Sequence, residues 1–253
     1  MDAKLTNLLS RLAPVIKEPL IGTAPSSPPV IVLDNLVKFF GRFAAIRGIS
    51  ASFAPGRLYV VLGDNGAGKS TLLRMVAGLM EPSQGSFTLL ETKNHRAVAH
   101  RVGYMGHAPL LYDELSGMEN LLYFAGLYGL DDDAVCRKAM QMVGLDPELS
   151  RRVGQYSQGM RQRLSLARAV LHDPELVLLD EPFSNVDLHS AREMAVVLGR
   201  VRDKGTTLIV VTHQAALMEG VADEFVHMAA GQIVSREEVA RNAPVSNAGW
   251  TPR

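Results

Sequence analysis

Leu58-Tyr59-Val60-Val61-Leu62-Gly63-Asp64-Asn65-Gly66-Ala67-Gly68-Lys69-Ser70-Thr71 is an apolar, β-rich run followed at once by the pattern G-x-x-x-x-G-K-[ST]. Three glycines free the backbone to turn sharply, so successive N–H groups can face one concavity and bind anionic oxygens. Downstream, Leu72, Met75, Val76 and Leu79 recur at helical spacing and predict a helix over residues 70–80. The loop therefore joins a buried strand to a helix N-terminus, where the helix dipole adds to the attraction for phosphate. Lys69 suits the β- and γ-phosphates of a nucleotide, and Ser70 offers a hydroxyl to Mg²⁺. A glycine-rich turn with a surface lysine is the plainer reading, and both flanking elements argue against it.

Leu176-Val177-Leu178-Leu179-Asp180-Glu181 is a second apolar strand, and it ends in two carboxylates. Parallel sheets place their ligands at this end of the strand. Asp180 suits the Mg²⁺ shell beside Ser70, and Glu181 is placed to polarise a water attacking the γ-phosphate. Acidic residues after a strand are also common helix-start signals, so the pair gains meaning only beside the phosphate loop. Val210-Val211-Thr212-His213 repeats the pattern with a histidine. A lone histidine there is more often a structural hydrogen-bonder, yet His213 could hold the γ-phosphate and the water in line. No cysteine or second histidine stands at ligand spacing, which argues against zinc.

Tyr156-Ser157-Gln158-Gly159-Met160 opens another helix. A helix cap explains Ser157. Gly159, a poor helix former in the first turn, is explained badly that way. Bare backbone at a helix N-terminus makes sense where a phosphate approaches from outside, and that phosphate need not be bound by the same chain.

Composition sets wider limits. The 253 residues carry 26 Lys plus Arg against 26 Asp plus Glu, so no overall positive field draws the chain to nucleic acid. A single cysteine, Cys136, excludes an internal disulfide and fits a reducing compartment. No apolar stretch reaches the roughly 18 residues needed to span a bilayer, and no signal-peptide pattern opens the chain. A soluble cytoplasmic chain that meets a membrane only through a partner is expected.

The alternation of strands and helices predicts an α/β fold with a mainly parallel sheet. Strands are expected at residues 30–33, 44–53, 85–90, 176–179 and 207–211. Ser116-Gly117-Met118-Glu119 reads as a capping box opening a helix through Phe124 and Leu127. Asp131 is expected to start a second helix that Gly144 ends, and residues 191–201 to form another. Residues 108–165, helical throughout, would form an inserted lobe. The expected divisions are an N-terminal extension and linker over 1–29, the main domain over 30–238 and a tail over 239–253. Leu5, Leu8, Leu9, Leu12, Val15 and Ile16 make a short amphipathic segment, read either as a frayed tail or as a membrane or partner helix. Residues 24–29, proline- and serine-rich, read as a linker.

These motifs, in this order, resemble the ATP-binding subunit of an ABC transporter over roughly residues 30–238. The resemblance implies a P-loop NTPase core with an N-terminal antiparallel β region and an inserted helical lobe. Phe40 stands where the family stacks an aromatic ring on adenine, with Phe39 a competing candidate. Gly63 to Thr71 match the Walker A loop, Leu176 to Asp180 the Walker B strand, Glu181 the catalytic base and His213 the switch histidine. Asp187, in Ser184-Asn185-Val186-Asp187, matches the D-loop. Ser157 and Gly159 fall at the signature motif, which caps the γ-phosphate bound by the opposite subunit.

Two departures stand out. The signature L-S-G-G-Q reads Y-S-Q-G-M here, and His107 occupies the position of the Q-loop glutamine, usually assigned a Mg²⁺ contact. An imidazole can change charge near neutral pH. Gly106-His107 followed by Leu110-Leu111-Tyr112 resembles the haem-exporter type of the cytochrome c maturation system. The resemblance implies ATP and Mg²⁺ as cofactors, a head-to-tail dimer with a second ATP-binding subunit, and polytopic membrane subunits at the cytoplasmic face. Those subunits would dock near Leu110, Leu111, Tyr112, Tyr123 and Phe124, residues that could equally be core of the helical lobe. Two other readings remain: an ATPase that remodels or regulates a membrane complex, and a nucleic-acid or translation ATPase. The second would want two nucleotide domains, a coiled coil or a basic surface.

Overall fold

A computed structural model describes residues 27–240. The expected amphipathic segment, residues 24–26 of the linker and residues 241–253 of the tail lie outside them. Strands β1 (Ile31–Phe40) and β2 (Phe43–Phe53) form an antiparallel hairpin; β3 is Leu58–Leu62. Helix α1 (Lys69–Val76) follows the phosphate loop, then β4 (Gln84–Leu89) and β5 (Val102–Met105). Helices α2 (Gly117–Leu127), α3 (Asp133–Met142) and α4 (Gln158–Val170) come next. The chain closes with β6 (Leu176–Asp180), α5 (Leu188–Asp203), β7 (Thr207–Val211), β8 (Glu224–Ala229) and β9 (Gln232–Glu238).

Two sheets result. The smaller is antiparallel, in the order β2-β1-β4, and the larger runs β5-β6-β7-β3-β8-β9. Every pairing in the larger sheet is parallel except that of β8 with the edge strand β9. The expected mainly parallel sheet and antiparallel β region are both present.

Both faces of the large sheet are buried, so its inner strands read as unbroken apolar runs. Their side chains still alternate with a period of two. Leu58, Val60, Val177, Leu179, Leu208 and Val210 face one core, shared with α2 to α5. Tyr59, Val61, Leu176, Leu178, Ile209 and Val211 face another, closed by α1 and the small sheet. Burying each such aliphatic side chain stabilises the fold by about 1.5–3 kcal/mol.

Helix boundaries follow local chemistry. The Ser116 side chain accepts from the Glu119 N–H, and the Glu119 carboxylate accepts from the Ser116 N–H, so the expected capping box is complete. Asp132, not Asp131, caps α3, because its carboxylate accepts from the Ala134 N–H. Gly144 follows the end of α3 with φ +73°, the left-handed geometry expected of a terminator. The expected helix over residues 70–80 is shorter than its apolar spacing implied. It ends at Val76, because Gly78 turns left-handed (φ +71°), and Leu79 is left exposed.

Three strands were not anticipated: β5, β8 and β9. The first is four residues long and half of it is small or polar, and β8 opens on Glu224 and carries His227 in its interior. Glu224 is buried, and Arg236 of the neighbouring strand pairs with it. The charge that hides β8 in the sequence is neutralised across the sheet.

Candidate functional site

The loop between β3 and α1 is shaped by backbone contacts that leave no room for a side chain. A Cβ on Gly63 (φ +149°) would lie 2.1 Å from the Met228 carbonyl oxygen. One on Gly68 (φ +98°) would lie 2.6 Å from the Ala45 oxygen. The Gly231 N–H donates to the Ala67 oxygen at 3.1 Å, and the Arg47 N–H to the Gly231 oxygen at 2.9 Å. The loop is thus braced by the β8–β9 turn and by β2 before any ligand arrives.

Lys69 is buried, and its ammonium donates to the carbonyl oxygens of Gly63 (2.6 Å) and Asp64 (3.1 Å). Its positive charge is therefore held over the loop by oxygens of the loop itself. Ser70 Oγ donates to Asp180 Oδ1 at 2.8 Å, which joins the start of α1 to the end of β6. The other Asp180 oxygen, Oδ2, is enclosed and has no hydrogen-bond partner. A buried carboxylate oxygen left unpaired is costly unless a cation or water completes it. The hydroxyl–carboxylate pair fits Mg²⁺, a hard ion that takes oxygen ligands.

An open cleft of about 390 Å³ lies over the loop. Asn65, Gly66, Ala67, Gly68, Lys69, Ser70 and Thr71 form its floor. Phe40, Phe43 and Ala45 form one wall, and His107 and Glu181 also line it. Phe43 was missed in the sequence, whereas Phe39, the competing candidate, does not line the cleft. The hairpin explains both: Phe40 and Phe43 are paired across its turn, so their exposed rings stand on one wall. Gly63 and Asp64 contribute through the carbonyls that hold Lys69 rather than as lining.

Glu181 follows Asp180 in a left-handed conformation (φ +54°), rare for a residue with a Cβ, and its N–H donates to the Val211 oxygen at 2.8 Å. This anchor ties it to the end of β7, next to His213. His213 Nδ1 lies 3.0 Å from Glu181 Oε2. Carboxylate and imidazole therefore stand together at the lip of the cleft, with the His213 side chain largely exposed. Such a pair can hold a water molecule and share its proton.

Ser157, Gly159 and Asp187 do not line this cleft. Ser157 is exposed and caps α4 by accepting from the Met160 N–H; Asp187 caps α5 by accepting from the Ser190 N–H. Serine's N–H bond holds the Asp187 carboxyl below its ordinary range. A Cβ on Gly159 would meet Ser190 and Val186 only at 3.7 Å, ordinary contact distance. Packing within the chain therefore does not require glycine there. Among the described residues no group of three or more His, Cys, Asp or Glu side chains is arranged to hold a metal, and no helix is long and apolar enough to cross a membrane.

The aromatic residues of the helical lobe divide. Leu111 and Phe124 pack against the core, whereas Leu110, Tyr112 and Tyr123 are exposed. Tyr112 and Tyr123 meet edge-on with ring centroids 5.1 Å apart.

The Bacillus subtilis ABC transporter ATP-binding protein NatA is 34% identical, over 76% of this chain and 81% of that protein. The bacitracin transport ATP-binding protein BcrA of Enterococcus faecalis is also 34% identical, over 83% of this chain and 70% of its own length. Among solved structures, a dimeric ATP-binding cassette in a post-hydrolysis state with ADP and phosphate superposes with a TM-score of 0.75 at 21% identity, over 82% of this chain and 98% of its own, which supports the fold. The model of the ABC transporter family matches residues 46–184, from β2 to just beyond Glu181. With this site and these relatives, the chain belongs to the ABC transporter family, as one of its ATP-binding, ATP-hydrolysing subunits.

Proposed function

We propose that this subunit binds Mg-ATP in the cleft over residues 63–71 and couples its hydrolysis to export through membrane subunits at the cytoplasmic face. The Glu181–His213 pair at 3.0 Å, beside the cleft, carries the reading. Lys69 neutralises the β- and γ-phosphates. Phe40 and Phe43 offer rings to the base. Ser70 and Asp180 would hold Mg²⁺, with His107 facing the same space, and the ion when bound draws charge from the phosphate oxygens. Glu181 takes a proton from the attacking water, and His213 orients that carboxylate.

Ser157, Gly159 and Asp187 lie away from the chain's own cleft, so we place them against the nucleotide of a second subunit, arranged head to tail. Gly159 supports this placement, because nothing inside its own chain needs a bare backbone there. ATP would then be the contact that closes the dimer, since a ligand shifts a conformation only by binding one state better. Tyr112, Tyr123 and Leu110 are the face offered to the membrane subunits.

The transport of bacitracin by a relative favours an antibiotic-like cargo. The relatives give no support to the haem-export reading drawn from Gly106-His107. The test is Glu181→Gln. It should bind ATP, lose turnover by at least about a hundredfold, as removal of a general base typically does, and accumulate as a dimer with ATP. Turnover at the parent rate would remove Glu181 from its role, and recovery of the chain with ribosomes or DNA instead of polytopic subunits would overturn the transport reading.

A further inference from the structure

Arg168, on α4, sits between the helical lobe and the strand that leads to His107. Its Nη2 donates to the Tyr104 carbonyl oxygen at 2.9 Å, and its guanidinium lies 5.1 Å from the centre of the Phe124 ring. Its Nε is enclosed without a hydrogen-bond partner. Burial is the largest influence on its basicity and lowers it; the charges that oppose this are the phenols of Tyr128 and Tyr104, not a carboxylate. A cation partly withdrawn from water without an anion is destabilising, and an apolar side chain would fill the same space. Packing alone is therefore a poor account of an arginine here.

The rest of α4 holds the same segment. Ser165 Oγ, fully buried and one turn earlier on the helix, donates to the Pro109 oxygen at 3.0 Å. Gly103 lets β5 rest directly on the helix, since a Cβ there would lie 2.0 Å from the Ala169 oxygen. One helix face thus grips residues 103–104 and residue 109, and the span between them contains exposed His107, which lines the cleft. Only the arginine contact also reaches the aromatic lobe.

We propose that Arg168 is a positioning residue that sets where the 106–109 loop presents His107 to the nucleotide cleft, with Phe124 as its second support. The inference rests on the reading of that cleft as the ATP site. The guanidinium suits the task because its flat donors fix the Tyr104 carbonyl while its face lies on a ring. A shift of Phe124 would pass to Tyr104 through one side chain.

The experiment is a double-mutant cycle on the full chain, with steady-state ATP hydrolysis and thermal unfolding measured on each variant. Arg168→Met should lower kcat about tenfold with KM for ATP within about twofold, the pattern of an interaction realised in the transition state. Arg168→Lys, which keeps one donor and the charge, should recover most of that loss. In a His107→Ala background, Arg168→Met should lower kcat by no more than about twofold, because both changes act through one loop. Arg168→Gln serves in the same cycle where Arg168→Met is recovered unfolded. Losses that multiply, or a fall in kcat that only tracks the folded fraction, would overturn the role of Arg168 while leaving that of His107. An unchanged kcat in His107→Ala alone would refute His107 as a working part of the cleft, and the inference with it.

Discussion

Lys69→Met separates two jobs that one ammonium performs. Without nucleotide, Nζ holds the Gly63 and Asp64 carbonyls at 2.6 and 3.1 Å. Hydrogen bonds to a charged group contribute about 1.5–3 kcal/mol each, and relief of a buried cation offsets part of this, so a net loss of about 1–3 kcal/mol follows. In a domain of this size each kcal/mol moves Tm by about 2–4 °C, which gives a fall of about 2–12 °C. With ATP at about a hundred times its Kd, the parent should gain about 2.7 kcal/mol, or about 5–11 °C. A variant that binds about a hundredfold more weakly keeps only about 0.4 kcal/mol, near 1 °C. Thermal unfolding of parent and variant, each with and without Mg-ATP, measures all four values. An ATP-induced rise in the variant equal to the parent's would refute the assignment of Lys69 to the phosphates, whatever happened to the unliganded protein.

Three further outcomes are expected. Gly159→Ala should leave stability unchanged or raise it by about 0.5–1 kcal/mol, because alanine is the better helix former and the space is open, yet turnover should drop; full activity would place Gly159 outside the nucleotide contact. Gly103→Ala should destabilise by about 1–3 kcal/mol because its Cβ meets the Ala169 carbonyl, whereas Gly126→Ala, with open space around it, should not, and equal denaturation midpoints would contradict the close approach of β5 to α4. The Ser116 N–H holds the Glu119 carboxyl below its ordinary 4.5, so the stability this group contributes is present above that value and lost as pH falls through the lower folded pKa. The stability gap between parent and Glu119→Gln should therefore narrow on acidification, and a gap constant from pH 7 to pH 3 would contradict the capping geometry.

What the sequence disclosed was chemistry held in short consecutive runs. Gly63 to Ser70, Asp180 with Glu181, and the Ser116 capping box are each written within a few residues, and local rules suffice to read them. What stayed hidden depends on distant partners. Phe43 enters the cleft wall because a hairpin turn brings it beside Phe40. Strand β8 looks too polar to be internal until Arg236 is seen beside Glu224. The exposure of Tyr112 beside packed Leu111 is likewise set by the lobe's three-dimensional closure, which no periodicity announces.

The strand order carries a consequence for synthesis. Strand β3, which leads into the phosphate loop, lies between β7 and β8, and the Leu58 N–H donates to Asp223, 165 residues further along. A ribosome therefore releases this apolar strand long before either neighbour exists. Pairings so far apart in the chain form slowly, and an unpaired apolar strand is prone to stick to other chains. Until the last hairpin emerges, the nascent polypeptide must be kept from aggregation by something other than its own fold.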